Sequence, residues 1–270
     1  VSFTNNSSPL FILGAVGIGL LAHPVAGYIL AISHYASNLC VGLFWRLVRK
    51  VKGAPYMKPS DRQASLASFF AQTESISIGK SMGEAIKNSL NHILTVGGFI
   101  VLFSVLTRML SVWGFMDLLA HALSSLLSGL SYPLAYGLSM GLFEMTLGIK
   151  TASSSNAPLL AQLMVISIIL SFSGFSVIAQ VASILAGTPL RLSFYMLSRA
   201  IQIIISCILT WAGWIYLLPL QVQTATSIPL YKILYSVHAW QLSLYCLLIG
   251  LILMLIFFIL SDIMYRRPSA

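Results

Sequence analysis

Stretches of about 20 apolar residues recur along almost the whole chain, each long enough for a helix to cross a hydrocarbon core of roughly 30 Å. Val25 to Trp45, Ile93 to Trp113, Tyr132 to Ile149, Leu192 to Leu218 and Trp240 to Leu260 are the full-length examples. No soluble domain fits between them. Composition agrees: 58% of the 270 residues are hydrophobic, 8% are charged, and the mean hydropathy is +0.91. Those values lie outside the range of ordinary soluble domains. The expected fold is an all-α polytopic integral membrane protein with the lipid bilayer as its surroundings.

The formal charge of +9 raises nucleic acid as a partner. The basic residues, however, cluster at segment ends, where Lys and Arg mark the cytoplasmic side. Arg46, Arg49, Lys50, Lys52, Lys58 and Arg62 follow the first full span in a loop with Gly53, Pro55 and Pro59. This loop, 46–62, is placed in the cytoplasm together with the C-terminal Arg266 and Arg267, and nucleic acid is excluded as a partner. Cys40, Cys207 and Cys246 are odd in number, widely spaced and set in apolar runs. They supply neither a disulfide framework nor a CxxC metal site.

Residues 81–94 (SMGEAIKNSLNHIL) place Met82, Ala85, Ile86, Leu90 and Ile93 on one helical face, which suits a helix lying at the interface. Three regions follow: 1–45, a half hairpin plus a transmembrane helix; 46–92, the basic loop and interfacial helix; and 93–270. The polar opening VSFTNNSSPL has no charged leader, and the chain is expected to begin partway through a longer protein.

Within 158–186 the run SFSGFSVIAQ interrupts the apolar residues, leaving arms too short to cross alone. A re-entrant hairpin over about 157–188 also keeps Lys150, Arg191, Arg266 and Arg267 on one side. Irregular backbone at membrane depth is tolerated only where protein buries it or it lines a wet cavity. The residues after Phe3 (Thr4, Asn5, Asn6, Ser7), an apolar arm and Pro24 echo the residues after Phe172 (Ser173, Gly174, Phe175, Ser176), an arm and Pro189. Such a pair suggests an inverted repeat, with substrate held between broken helices.

The candidate substrate-binding residues are Asn5, Asn6 and Ser7 at the first tip, and Ser173, Gly174, Ser176 and Gln180 at the second. Backbone amides at a half-helix start, with the positive end of its dipole, suit a carboxylate or phosphate. Small residues that merely let helices pack closely are the competing reading. Glu144, next to Thr146 in GLFEMTLGIK, is the one acid placed well inside a span, as a proton-coupling group or substrate contact. A structural partner for Lys150 or Arg191 is its alternative role. His34, Asn38 and Arg191 are accessory candidates: His34 and Asn38 stand one turn apart on one face, where a hydrogen-bonded core histidine is the plainer reading. No metal, cofactor or enzymatic activity is expected, since His34 has no second ligand at helical spacing and no GxSxG elbow occurs.

The ordered set FTNNSSPLFILGAVG, HPVAGYILAISHYASNLCVGL, SLNHILTVGGFIVLFSVL, LFEMTLGIK and SFSGFSVIAQVASIL resembles the sporulation integral membrane proteins of the YlbJ type. These sit within the nucleoside-recognition (Gate) superfamily, which is similar in organisation to concentrative nucleoside transporters. The resemblance covers nearly the whole chain. It implies a role in spore maturation, with passage of dipicolinic acid, a small aromatic dianion, across the outer forespore membrane. A non-transporting membrane component of spore assembly and a nucleoside-type transporter are the alternatives. Relative to the family the chain lacks an N-terminal portion, whose polar motif should pair with LFEMTLG. A site built from two halves is then expected to need that portion or an oligomer.

Overall fold

The computed structural model describes residues 6–51, 78–186, 188, 191–224 and 248. Asn5, most of the basic loop, the expected span from Trp240 to Leu260, and Arg266 and Arg267 lie outside these. Two compact units divide the chain, Val1–Leu218 and Pro219–Ala270. The second falls almost wholly outside the described residues, so the architecture below is that of the first.

Every described element is helical. In chain order they are α1 (Leu10–Leu20), α2 (Pro24–Val51), α3 (Ile78–Val112), α4 (Phe115–Leu126), α5 (Tyr132–Phe143), α6 (Met145–Ser153), α7 (Leu159–Phe172), α8 (Gly174–Leu185) and α9 (Leu192–Thr224). Among the described residues, four segments are long and apolar enough to cross a membrane: 24–48, 79–112, 159–185 and 192–217. The chain is an all-α integral membrane protein.

Helix α1 is wound as a π-helix, and it folds back on α2 where two glycines meet. A Cβ on Gly17 would stand 2.6 Å from the Gly27 Cα. Lipid gives apolar side chains little reason to associate, so close backbone approach through small residues holds such pairs together.

Helix α3 differs from its sequence reading. Residues 81–94 are not a separate interfacial helix but run without a break into the span that follows. At about 1.5 Å per residue its 35 residues reach well beyond the hydrocarbon core. Ile93 and Leu94 are 68% and 73% exposed, an apolar surface that suits lipid contact.

The re-entrant hairpin is also displaced from where the sequence suggested. Helices α5 and α6, 12 and 9 residues long, are each too short to cross and pack on each other as antiparallel arms. Their pairing is symmetric about the Glu144–Met145 bond. A Cβ on Gly148 would lie 2.2 Å from the Gly141 Cα, and one on Gly137 would lie 2.8 Å from the Ala152 nitrogen. The single span expected over Tyr132 to Ile149 is therefore a hairpin with its tip at Glu144.

Helices α7 and α8, expected as the hairpin over 157–188, do not pack face to face. They form one 27-residue apolar segment, Leu159–Leu185, broken at Ser173. The main core lies where α1, α2 and α5 to α7 meet, around Ile12, Leu30, Leu134, Ile149, Leu163 and Ile166.

The internal echo shifts accordingly. The polar residues before α1, then α1, Pro24 and α2 correspond in arrangement to Glu144, α6, Pro158 and α7–α8. The sequence reading had matched them to SFSGFS and Pro189.

Candidate functional site

Glu144 occupies the turn between the hairpin arms in extended backbone, φ −136° and ψ 115°. Its side chain caps α6: Oε2 accepts from the Leu147 backbone N–H at 2.8 Å and from the Thr146 hydroxyl at 2.5 Å. A helix start leaves its first N–H groups without intrahelical acceptors, and a carboxylate there satisfies them and meets the positive end of the dipole. Glu144 is 2% exposed, so this cap works inside the protein.

The break in α7–α8 is built from two consecutive left-handed residues, Ser173 at φ 72° and Gly174 at φ 78°. Ser173 accepts this conformation at a steric cost, whereas glycine adopts it freely. Gly174 has a second reason to lack a side chain. A Cβ there would stand 3.1 Å from the Gly141 carbonyl oxygen and 3.3 Å from the Met145 nitrogen. The break thus seats directly on the hairpin tip. Phe143 meets Phe175 edge-on with ring centroids 5.5 Å apart, and Phe172 meets Phe175 at the same spacing.

The first polar segment closes the arrangement. Ser7 Oγ donates to the Met145 sulfur at 3.6 Å, and the Tyr35 hydroxyl donates to the Ser7 carbonyl at 2.7 Å. The Asn38 side-chain amide donates to the side-chain oxygen of Asn6. Between these parts lies a cavity of about 130 Å³ lined by Asn6, Ser7, Met145, Ser173, Val177 and Gln180. Met145 starts α6 and Ser173 precedes α8, so two helix N-termini meet here beside Asn6 and Ser7 of the polar segment that leads into α1.

Of the sequence candidates, Asn6, Ser7, Ser173 and Gln180 come together on this cavity. Ser176 lies behind it, 1% exposed, with its hydroxyl 3.5 Å from the Gln180 amide. Gly174 shapes the break, while Glu144 and Thr146 hold the hairpin tip rather than line the cavity. His34 and Asn38 are buried on α2, Asn38 reaching Asn6. Arg191 is exposed ahead of α9 and takes no part in the lining. Asn5 lies outside the described residues.

Met145 and Val177 line the cavity and escaped sequence reasoning, since neither apolar type signals a site. A larger open groove of about 560 Å³ runs along the hairpin base past Tyr132, Tyr136, Lys150 and Ser154. Its Thr151, Ser154 and Ser155 hydroxyls already donate to backbone carbonyls. The smaller cavity, with its converging polar tips, is the better candidate.

Comparison with known proteins bears on the same elements. The model of the Gate family, described as nucleoside recognition, matches residues 93–188, from within α3 through the hairpin and α8. The sporulation integral membrane protein YlbJ of Bacillus subtilis (strain 168) is 39% identical over 224 residues, covering 79% of this chain and 54% of that protein. The chain thus spans about half the length of the curated relative it matches. No solved structure matches it. The chain is a homologue of that sporulation integral membrane protein and carries a Gate domain over residues 93–188.

Proposed function

We propose that this sporulation membrane protein passes a small anionic metabolite, dipicolinic acid, across the outer forespore membrane without chemically altering it. The observation that carries the reading is the meeting of the N-termini of α6 and α8 with the polar segment before α1 on one small cavity that holds four polar side chains. Helix N-termini offer N–H donors and positive potential to carboxylates. The Glu144 carboxylate offsets that potential only at α6, where its own cap bonds hold it. Asn6, Ser7, Ser173 and Gln180 add neutral donors, and Phe172 and Phe175 flank the break.

Size supports a compact ligand. A cavity of about 130 Å³ falls short of the several hundred that drug-sized ligands occupy. The Gate description favours a second reading, a nucleoside; the small volume argues against it. In this proposal two repeats of opposite orientation meet at the tips, as in transporters with broken helices. The basic end of α2 then faces the cytoplasm.

The test is uptake of labelled pyridine-2,6-dicarboxylate into liposomes carrying the chain, alone and joined to the N-terminal half of its B. subtilis relative. Saturable uptake that falls at least tenfold in Gln180→Leu supports the reading. Uptake indifferent to that change, or selective for nucleosides, rejects it.

A further inference from the structure

Behind the cavity, α2, α7 and α9 share a polar seam that the proposed transport reading does not use. Trp45 Nε1 donates to Ser198 Oγ at 3.0 Å near one end, and a Cβ on Gly213 would stand 2.9 Å from Ile29 Cγ2 near the other. These two contacts set α2 antiparallel to α9. Ser167 Oγ pairs with Ser206 Oγ at 2.7 Å and receives the Thr210 hydroxyl at 2.9 Å, tying α7 to the same face.

Between those contacts sits His34, 1% exposed, with neither ring nitrogen hydrogen-bonded. Asn38 Oδ1, Ser171 Oγ and Gln202 Nε2 are likewise buried and unbonded. A histidine kept only for packing normally satisfies both nitrogens, because an unmet polar group in a low-dielectric interior costs several kcal/mol. The unmet groups here mix donors with acceptors, the pattern that exchangeable water fills.

We propose that His34 is a proton-binding site whose protonation is read at the cavity through Asn38–Asn6 and Tyr35–Ser7. The step is simple: a proton delivered as hydronium from bulk water binds an imidazole nitrogen, giving an imidazolium and a neutral water. Asn38 lies one turn from His34 and its amide also donates to the His34 carbonyl at 3.1 Å, so a shift of this turn moves Asn6 directly.

The groups facing His34 set when the proton is held. Arg199 on α9 is within Coulombic range; it donates to Gln202 Oε1 at 2.5 Å and lies over the Tyr195 ring. Tyr35 packs edge-on against the imidazole. Helices α1 and α7 carry no titratable residue, and the hairpin's carboxylate, Glu144, is committed to its cap. A second positive charge near Arg199 is costly unless an anion is close, so an anion in the cavity and a proton on His34 favour each other. That linkage rests on the anion reading above; the proton site itself does not.

The test uses the full chain in lipid nanodiscs with 13C-labelled histidine rings and methionine methyls. His34 is assigned from His34→Gln, and Met145, which lines the cavity, from Met145→Leu. His34 is expected to show a single protonation step in a pH titration, with the Met145 methyl shifting at the same midpoint and losing that shift in His34→Gln. Asn38→Leu should leave the titration and weaken the Met145 response. A His34 that stays neutral throughout, or a Met145 signal that ignores it, overturns the proposal. Added pyridine-2,6-dicarboxylate should raise the midpoint by about one pH unit. A titrating His34 with no such rise sustains the proton site and counts against the dicarboxylate reading alone.

Discussion

The side-chain amide of Asn38, buried on α2, donates to the side-chain oxygen of Asn6 in the polar segment before α1. The bond joins a membrane-crossing helix to the rim of the cavity. With the Tyr35 hydroxyl on Ser7 it fixes that segment from behind, and the Ser7 contact with Met145 fixes it from the front. The neighbouring parts are held by contacts just as specific, and each can be broken separately.

Glu144 acts as a cap. Removing its acceptor in Glu144→Ala should destabilise the purified protein by about 1–2 kcal/mol, the usual range for an N-cap loss. Glu144→Gln keeps an acceptor oxygen and should recover most of that. Thermal unfolding in detergent checks the order; equal losses would show that the charge, not the cap, matters.

Gly148 must stay small. Its added Cβ would meet the Gly141 backbone, which cannot move without parting the hairpin. Gly148→Ala should cost about 1–3 kcal/mol through overpacking. Gly97→Ala on α3, where nothing lies within 4 Å, should be neutral or slightly stabilising. The same unfolding assay compares the two.

Ser173 separates stability from binding. Its left-handed backbone costs about 1–2 kcal/mol that glycine avoids. Ser173→Gly should therefore raise the melting temperature while weakening ligand binding, because the hydroxyl leaves the cavity. A fall in stability would show that the Ser173 bond to the Leu170 carbonyl outweighs the strain.

The seam has a defined register. Ser167 and Ser206 stand with hydroxyls 2.7 Å apart, so the double variant Ser167→Cys with Ser206→Cys should bridge on mild oxidation. In a background lacking the native cysteines, altered mobility on a non-reducing gel reports the bridge. Ser167→Cys combined with Trp211→Cys, a position exposed on α9, should give none.

The crossing helices were legible because about 20 apolar residues leave lipid few other solutions. The hairpin was not, because α5, its tip and α6 together match the length of one span and carry a single acid. Reversal at Glu144 rests on a cap bond and on small residues facing each other in pairs, Gly137 with Ala152 and Gly141 with Gly148. That symmetry about the Glu144–Met145 bond is written in the sequence, but becomes visible only once a turn is assumed there. SFSG misled for the opposite reason. Left-handed backbone at Ser173 and Gly174 interrupts the helix inside a crossing without folding its arms together.

The polar tips at Asn6, Ser7, Ser173 and Gln180 stood out because polar residues at membrane depth are rare. Met145 and Val177 carried no such signal. Nor did the polar seam, whose Ser198, Gln202, Ser206 and Thr210 share one face of α9 but gain meaning only opposite Trp45 and Ser167.

The central claim is that the cavity between the tips holds a small anion. Equilibrium binding of radiolabelled pyridine-2,6-dicarboxylate to the purified chain, set beside Asn6→Leu and Gln180→Leu, tests it most directly. Saturable binding weakened at least tenfold in both variants, with their unfolding temperatures unchanged, is the result expected. Binding that survives both substitutions, or no binding by the folded unsubstituted chain, would contradict it.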